Sequence, residues 1–289
     1  MSGTAPGGLP AATVADLYRA ACLAELDALK PGNVHGYAPG HRMVVADFVT
    51  SADVSAPPLA AAGARVGQRV RGGVEATFAA VGQNTNLGIL LLCAPLAYAA
   101  EQPGPLAEAL NAVLAGFDAS DSRDVFAAIR RANPGGLGRA ERHDVSQTDD
   151  EALPPLRAAM AEAAPRDRIA RAYGDGFRDL FAIGLPALVG ARARGLVPPW
   201  TTTAVHLAYL TAVPDSHIAR KHGPERAEAV RAQAQASLAG LDLAAAPVEP
   251  LLAYDRALKE AGLNPGTSAD FTVATLFLDA LLSARGEGA

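Results

Sequence analysis

The chain has 289 residues, half of them hydrophobic and only 5% aromatic, with a formal net charge of −5. That apolar share suffices for a sizeable core in one or two domains, and the mild acidity excludes the basic footprint of a nucleic-acid binder. The two cysteines, Cys22 and Cys93, lie in apolar stretches without a CxxC pair, which points to buried free thiols in a reducing cytoplasm rather than a disulfide framework.

Residues 1–11 are rich in glycine, proline, serine and alanine and read as a disordered tail, without the charged and apolar regions of a signal peptide. A helix is predicted over about 13–29, with Val14, Leu17, Tyr18, Ala21, Leu26 and Leu29 on its apolar face. Pro31 and Gly32 end it. Further helices are predicted near 44–55, 58–80, 88–100, 106–116, 121–132, 152–163, 167–194, 202–212, 224–239, 248–262 and 268–284. Pro58 and Pro224 suit first helical turns. Ser268 suits an N-cap, with Asp270 in the turn that follows. The longest apolar run, Ile89 to Ala100, is broken by Pro95 and is shorter than the roughly 20 residues that a bilayer requires. The segment 133–150 is polar and glycine-rich and reads as a functional loop or lid, with Arg139 and Asp144 as its weaker candidates. Strand-like alternation is nearly absent. The expected fold is therefore all-α: a tail over 1–11, then a single compact multi-helix domain over 12–286 whose polar inter-helix loops form the site.

Four polar turns interrupt the alanine-rich helices: Lys30-Pro31-Gly32-Asn33-Val34-His35, Gly82-Gln83-Asn84-Thr85-Asn86-Leu87-Gly88, Pro214-Asp215-Ser216-His217, and Asn264-Pro265-Gly266-Thr267-Ser268-Ala269-Asp270. Each has a plain structural reading. Lys30 complements a helix C-terminus, while Asn84, Thr85 and Asp215 are good caps. His35 and His41 are loop histidines, and Asp47 sits in an apolar run. The functional reading is a site for a polyphosphate and its Mg²⁺. Lysine offers a point charge, helix N-termini attract anions, and aspartates suit magnesium. Zinc on His217 and His222 lacks a third ligand. No P-loop, GxGxxG after a strand, HExxH or GxSxG occurs.

These residues resemble the ATP:dephospho-CoA triphosphoribosyltransferases, also called triphosphoribosyl-dephospho-CoA synthases. The resemblance lies in Lys30-Pro31-Gly32, Gly40-His41-Arg42-Met43, Asp47-Phe48, Ser51-Ala52, Asn84-Thr85 with Gly88, and Asn264-Pro265-Gly266 with Ser268-Ala269-Asp270, in order over about 12–284. The chain departs from the family pattern at Asn33-Val34-His35, at Asn86-Leu87, where a histidine and a lysine are replaced, and around Asp215. It resembles a divergent branch, and such branches are associated with one-carbon cofactor biosynthesis. The resemblance implies transfer of a triphosphoribosyl group from ATP to 3′-dephospho-CoA, with adenine released and Mg²⁺ required. It implies Asp215 and Asp47 as catalytic carboxylates, Asp215 and Asp270 as metal ligands, and Lys30, Asn33, His35, His41, Asn84, Thr85, Asn264 and Ser268 as nucleotide contacts. A homodimer is compatible with this reading, and neither nucleic acid nor membrane is an expected partner. The alternatives are a ribosyl or phosphoribosyl transfer to another acceptor, motivated by Asn86-Leu87, and a non-catalytic nucleotide-binding helical protein.

Overall fold

The structure, a computed structural model, describes residues 7–40, 43–134 and 153–288. Among these it contains fourteen α-helices and no strand beyond two isolated bridges, so the all-α expectation holds. The helices are α1 (Ala11–Asp27), α2 (Val45–Leu59), α3 (Val66–Val81), α4 (Leu87–Ala100), α5 (Leu106–Ala115), α6 (Ala119–Ala132), α7 (Leu156–Ala163), α8 (Arg168–Asp175), α9 (Leu185–Ala193), α10 (Trp200–Ala212), α11 (Ser216–His222), α12 (Pro224–Leu238), α13 (Val248–Glu260) and α14 (Gly266–Ala284).

Two large apolar cores organise them, with a small third one of Ala191, Leu196 and Ala204. The larger gathers α1 to α8 and α14 around α4, joined by Leu188 of α9 and by Val205 and Tyr209 of α10. Helix α4 is apolar on every side and accordingly buried almost throughout. Tyr18 of α1 meets Phe277 of α14 edge-on at 5.9 Å, a favoured aromatic geometry. The second core packs α10, α11, α12 and α13 with Leu29. Helix α14 contacts α1 and α4 on one side and α10 and α11 on the other, so its N-terminus lies where the two groups of helices meet. Cys22 and Cys93 are both buried and free, and burial pushes the Cys22 thiol up to about 12.

Several predicted boundaries move. Helix α2 runs through Pro57 and Pro58 and ends at Leu59, while α3 begins only at Val66. A Pro-Pro pair removes two donors but leaves the carbonyls, and Ala60 N–H still reaches Ala56 O at 3.1 Å. The stretch predicted as one helix over 167–194 is broken. Gly176 caps α8 in the left-handed region at φ +72°, and a π-helical turn over Leu180–Gly184 precedes α9. Helix α11 was not predicted: its seven residues end at Gly223-Pro224 and carry too little periodicity to register. Pro224 does open α12. Ser268 is not an N-cap, because α14 already starts at Gly266. Of the expected tail, residues 1–6 lie outside the described residues. Leu9 packs against the larger core, and its N–H donates to Ala100 O at 2.8 Å. Most of the segment 133–150, with Arg139 and Asp144, also lies outside them.

Candidate functional site

The turn after α1 is sewn to distant parts of the chain. Gly32 adopts φ +83°, and a Cβ there would lie 2.7 Å from Pro265 Cδ and 2.9 Å from Leu258 Cδ1. Its N–H donates to Asp255 Oδ1 at 2.8 Å. Asn33 Nδ2 donates to Asn264 Oδ1 at 2.8 Å, tying the turn to the loop that leads into α14. His35 is buried, with Nδ1 accepting from Tyr37 N–H at 3.2 Å and Nε2 3.3 Å from Asp255 Oδ1. Lys259 pairs with the other oxygen of Asp255 at 2.9 Å. Lys30 is fully buried, and its Nζ donates to Glu25 Oε1. Burial lowers the Lys30 ammonium and raises the Glu25 carboxyl, and each partner opposes the shift of the other.

Beside this turn opens a cleft of about 1230 Å³. Three helix N-termini converge on it: α4 with Asn84, Thr85 and Gly88, α8 with Asp167 and Arg168, and α14 with Gly266, Thr267 and Asp270. Each brings the positive end of a helix dipole. Arg166, Arg171, Arg220 and Lys221 add cationic side chains, and Glu25, Asn33 and Asn264 belong to the same wall. The flank formed by Phe48, Phe78, Leu87, Phe126 and Met160 is apolar. Asp167 spends one oxygen on the amides of Ile169 and Ala170, at 2.9 and 3.1 Å, and the other on Arg220 at 2.7 Å.

Asp270 differs from its acidic neighbours. It lines the cleft and makes no hydrogen bond to any described residue, and a Cβ on Gly88 would collide with its Oδ2. Glycine at position 88 thus lets the carboxylate lie against the first turn of α4. Burial, with the negative charges of Asp215 and Glu25, holds the Asp270 carboxyl well above the usual carboxylate range.

The family model for CitG, ATP:dephospho-CoA triphosphoribosyl transferase, matches residues 11–288. The chain belongs to this transferase family. A solved structure from Archaeoglobus fulgidus, described provisionally as a triphosphoribosyl-dephospho-CoA synthase, is 25% identical, covers 80% of this chain and 97% of its own, and superposes with a TM-score of 0.64. No curated protein matches the chain.

In this member of the triphosphoribosyl transferase family, the residues singled out from the sequence separate into two groups. Asn33, Asn84, Thr85, Asn264 and Asp270 meet at the cleft. Asn84 also caps α4, its Oδ1 accepting from Leu87 N–H at 3.1 Å, and Thr85 shares a 2.6 Å hydroxyl contact with Ser51. Lys30, His35, Asp47, Asp215 and Ser268 do not line it. Asp215 is buried and accepts four hydrogen bonds. Oδ1 takes the amides of His217 and Ile218 at 2.9 and 3.2 Å, and Oδ2 takes Ser268 N–H and Oγ–H, both at 2.8 Å. It therefore clamps α11 to α14. Burial raises its carboxyl, and those donors pull the other way. Asp47 caps α2, accepting from Val44 N–H at 3.0 Å and Gln83 Nε2 at 3.2 Å. His41 lies outside the described residues. Glu25 and Arg220 escaped the sequence reading, and Gly88 was read there as part of a turn and of the family motif, not as the neighbour of Asp270. Glu25 alone had a usable signal, as a carboxylate inside the apolar stripe of α1 between Cys22 and Leu26.

Proposed function

We propose that the protein transfers the triphosphoribosyl group of ATP to a ribose hydroxyl of 3′-dephospho-CoA, releasing adenine. The observation that carries this reading is Asp270, lying without a hydrogen-bond partner among the described residues at the convergence of three helix N-termini. Converging dipoles and the cationic rim suit a triphosphate. Asn84 and Thr85 would contact phosphate oxygens, with Arg166, Arg171 and Lys221 as charge partners; all five line the cleft. Among the described residues, no three His, Cys, Asp or Glu groups form a metal cage. That fits Mg²⁺, which uses one or two carboxylates and completes its shell with phosphates and water. Asp270 would hold it, and the ion would offset triphosphate charge. Asp215, Ser268 and Lys30 act behind the cleft wall, keeping α11, α14 and Glu25 in place. The free buried thiols of Cys22 and Cys93 fit a reducing compartment such as the cytoplasm. Among the described residues, no helix is long and apolar enough to cross a membrane.

Incubation with Mg-ATP and 3′-dephospho-CoA, followed by chromatography, should show free adenine in step with acceptor consumption, and no adenine release would overturn the assignment. A second reading keeps ATP but changes the acceptor. It is favoured by the apolar flank that includes Leu87. A thermal-shift comparison of dephospho-CoA, ATP and phosphoribosyl pyrophosphate separates the two, since only the first reading requires stabilisation by dephospho-CoA.

A further inference from the structure

Of the carboxylates on the cleft wall that cap no helix, Glu162 and Glu228 lie on α7 and α12, and Asp270 and Glu25 lie beside the turn after α1 and the start of α14. Glu25 projects from the last turns of α1, in a stripe otherwise made of Val14, Tyr18, Ala21, Cys22 and Leu26. Burying an acid there is costly unless it is paired. The pairing is one-sided. Lys30 engages Oε1 only, and Lys30 itself is fully buried and absent from the cleft wall. The cation therefore faces the protein, and the acid faces the ligand space. The titratable groups around Glu25 are Tyr18 and Cys22 on its own helix, Lys30 on the following turn, and Asp270 across the cleft on α14. From α2 and α4 come the neutral Ser51 and Asn86. Lys30 is the one cation that acts on Glu25 among the described residues. Asn33, 3.5 Å from Lys30 Nζ through its Oδ1, keeps the lysine turned toward the acid.

We propose that Glu25 is a catalytic residue that accepts the proton of the attacking acceptor hydroxyl, and that Lys30 is the positioning residue that holds its carboxylate at the cleft. The inference rests on the transfer reaction proposed above. The acceptor oxygen forms a bond to C1′ of ATP as its proton passes to Glu25. The C1′–N9 bond breaks, its electron pair leaves on adenine, and adenine takes a proton from water. Glu25 then returns its own proton to water. This arrangement differs from a lysine that binds phosphate: Lys30 would set the state of the base and make no contact with ATP.

The test combines kinetics with ATP binding on the full-length protein. Glu25→Gln should lower kcat about 100-fold or more, as expected for loss of a general base, with the Kd for Mg-ATP within about threefold of wild type. Lys30→Met should move the acid limb of kcat/KM upward by about one pH unit or more, because the buried acid loses its counter-charge, again with ATP binding unchanged. The double variant Glu25→Gln/Lys30→Met removes both charges at nearly constant shape. It should melt no lower than Lys30→Met and stay as slow as Glu25→Gln. Retention of more than a tenth of wild-type kcat by Glu25→Gln would overturn the proposal. So would a tenfold loss of ATP affinity in Lys30→Met with the acid limb unmoved, which would make the lysine a phosphate ligand. Absence of adenine release by the wild-type protein would instead remove the parent reaction, a result visible before any variant is made.

Discussion

Asp215 and Asp270 lie on facing helix ends yet carry opposite consequences for stability and activity. Asp215 satisfies four donors with two oxygens. An asparagine offers one acceptor oxygen and turns an NH₂ toward donors already present. Asp215→Asn should therefore destabilise the fold by about 3–5 kcal/mol, the range for breaking a buried charged hydrogen-bond network. Urea unfolding measures it, and an unchanged midpoint would refute the clamp. Asp270 has the reverse balance. Its folded-state pKa is raised by burial and by neighbouring carboxylates, so its charged form opposes folding at neutral pH. Asp270→Asn should raise the melting temperature at pH 7 while reducing turnover about 100-fold and abolishing the response of the remaining activity to added Mg²⁺. Gly88→Ala should lower activity similarly, because the new methyl group would collide with Asp270.

At the scale of elements, the turn after α1 works as a fastener between α13 and the start of α14. Gly32 sits at a positive φ and packs against Pro265 and Leu258, while Asn33 bonds Asn264. Gly32→Ala meets both a backbone penalty and a packing clash, so a loss of about 1–3 kcal/mol is expected from the strained conformation alone. Because the same turn registers α14, and with it Ser268 and Asp270, activity should fall by a larger factor than the folded fraction at 25 °C. Equal losses would show that the turn supports only the fold. Local signals identified this turn well, since Pro-Gly after an apolar helix is a stop. They did not identify α11 or the break at Gly176. A seven-residue helix lacks a full periodic stripe, and Gly176 sits in a run whose apolar spacing continues on either side of it.

Across the whole molecule, the two large apolar cores meet along α14, and buried ionisable groups collect beneath the junction. His206 is fully buried, and burial pushes it down to about 3. The unfolded chain takes up a proton near the ordinary histidine value of about 6.5, whereas the folded chain resists until about 3. The unfolded state thus binds more protons between those values, and stability must fall as pH drops through that window, by up to about 1.4 kcal/mol per pH unit for this one group. His206→Gln should flatten the slope of unfolding free energy between pH 6 and 4 by about that amount. An unchanged slope would show that His206 is protonated in the folded protein. The sequence by itself determined the helical class, most helix positions and the polar turns, including Asn84-Thr85 and Asn264 to Asp270, because periodicity, capping and Gly/Pro stops act over a few residues. Only the tertiary structure decided which polar groups face the cleft. Lys30 turns inward to Glu25 and Asp215 is consumed by Ser268, while Asp270 is left open beside Gly88. Those outcomes depend on burial and on partners as distant along the chain as Gly32 and Asp255 or Asp215 and Ser268, and no local pattern encodes which side of a packed wall a charged group will occupy.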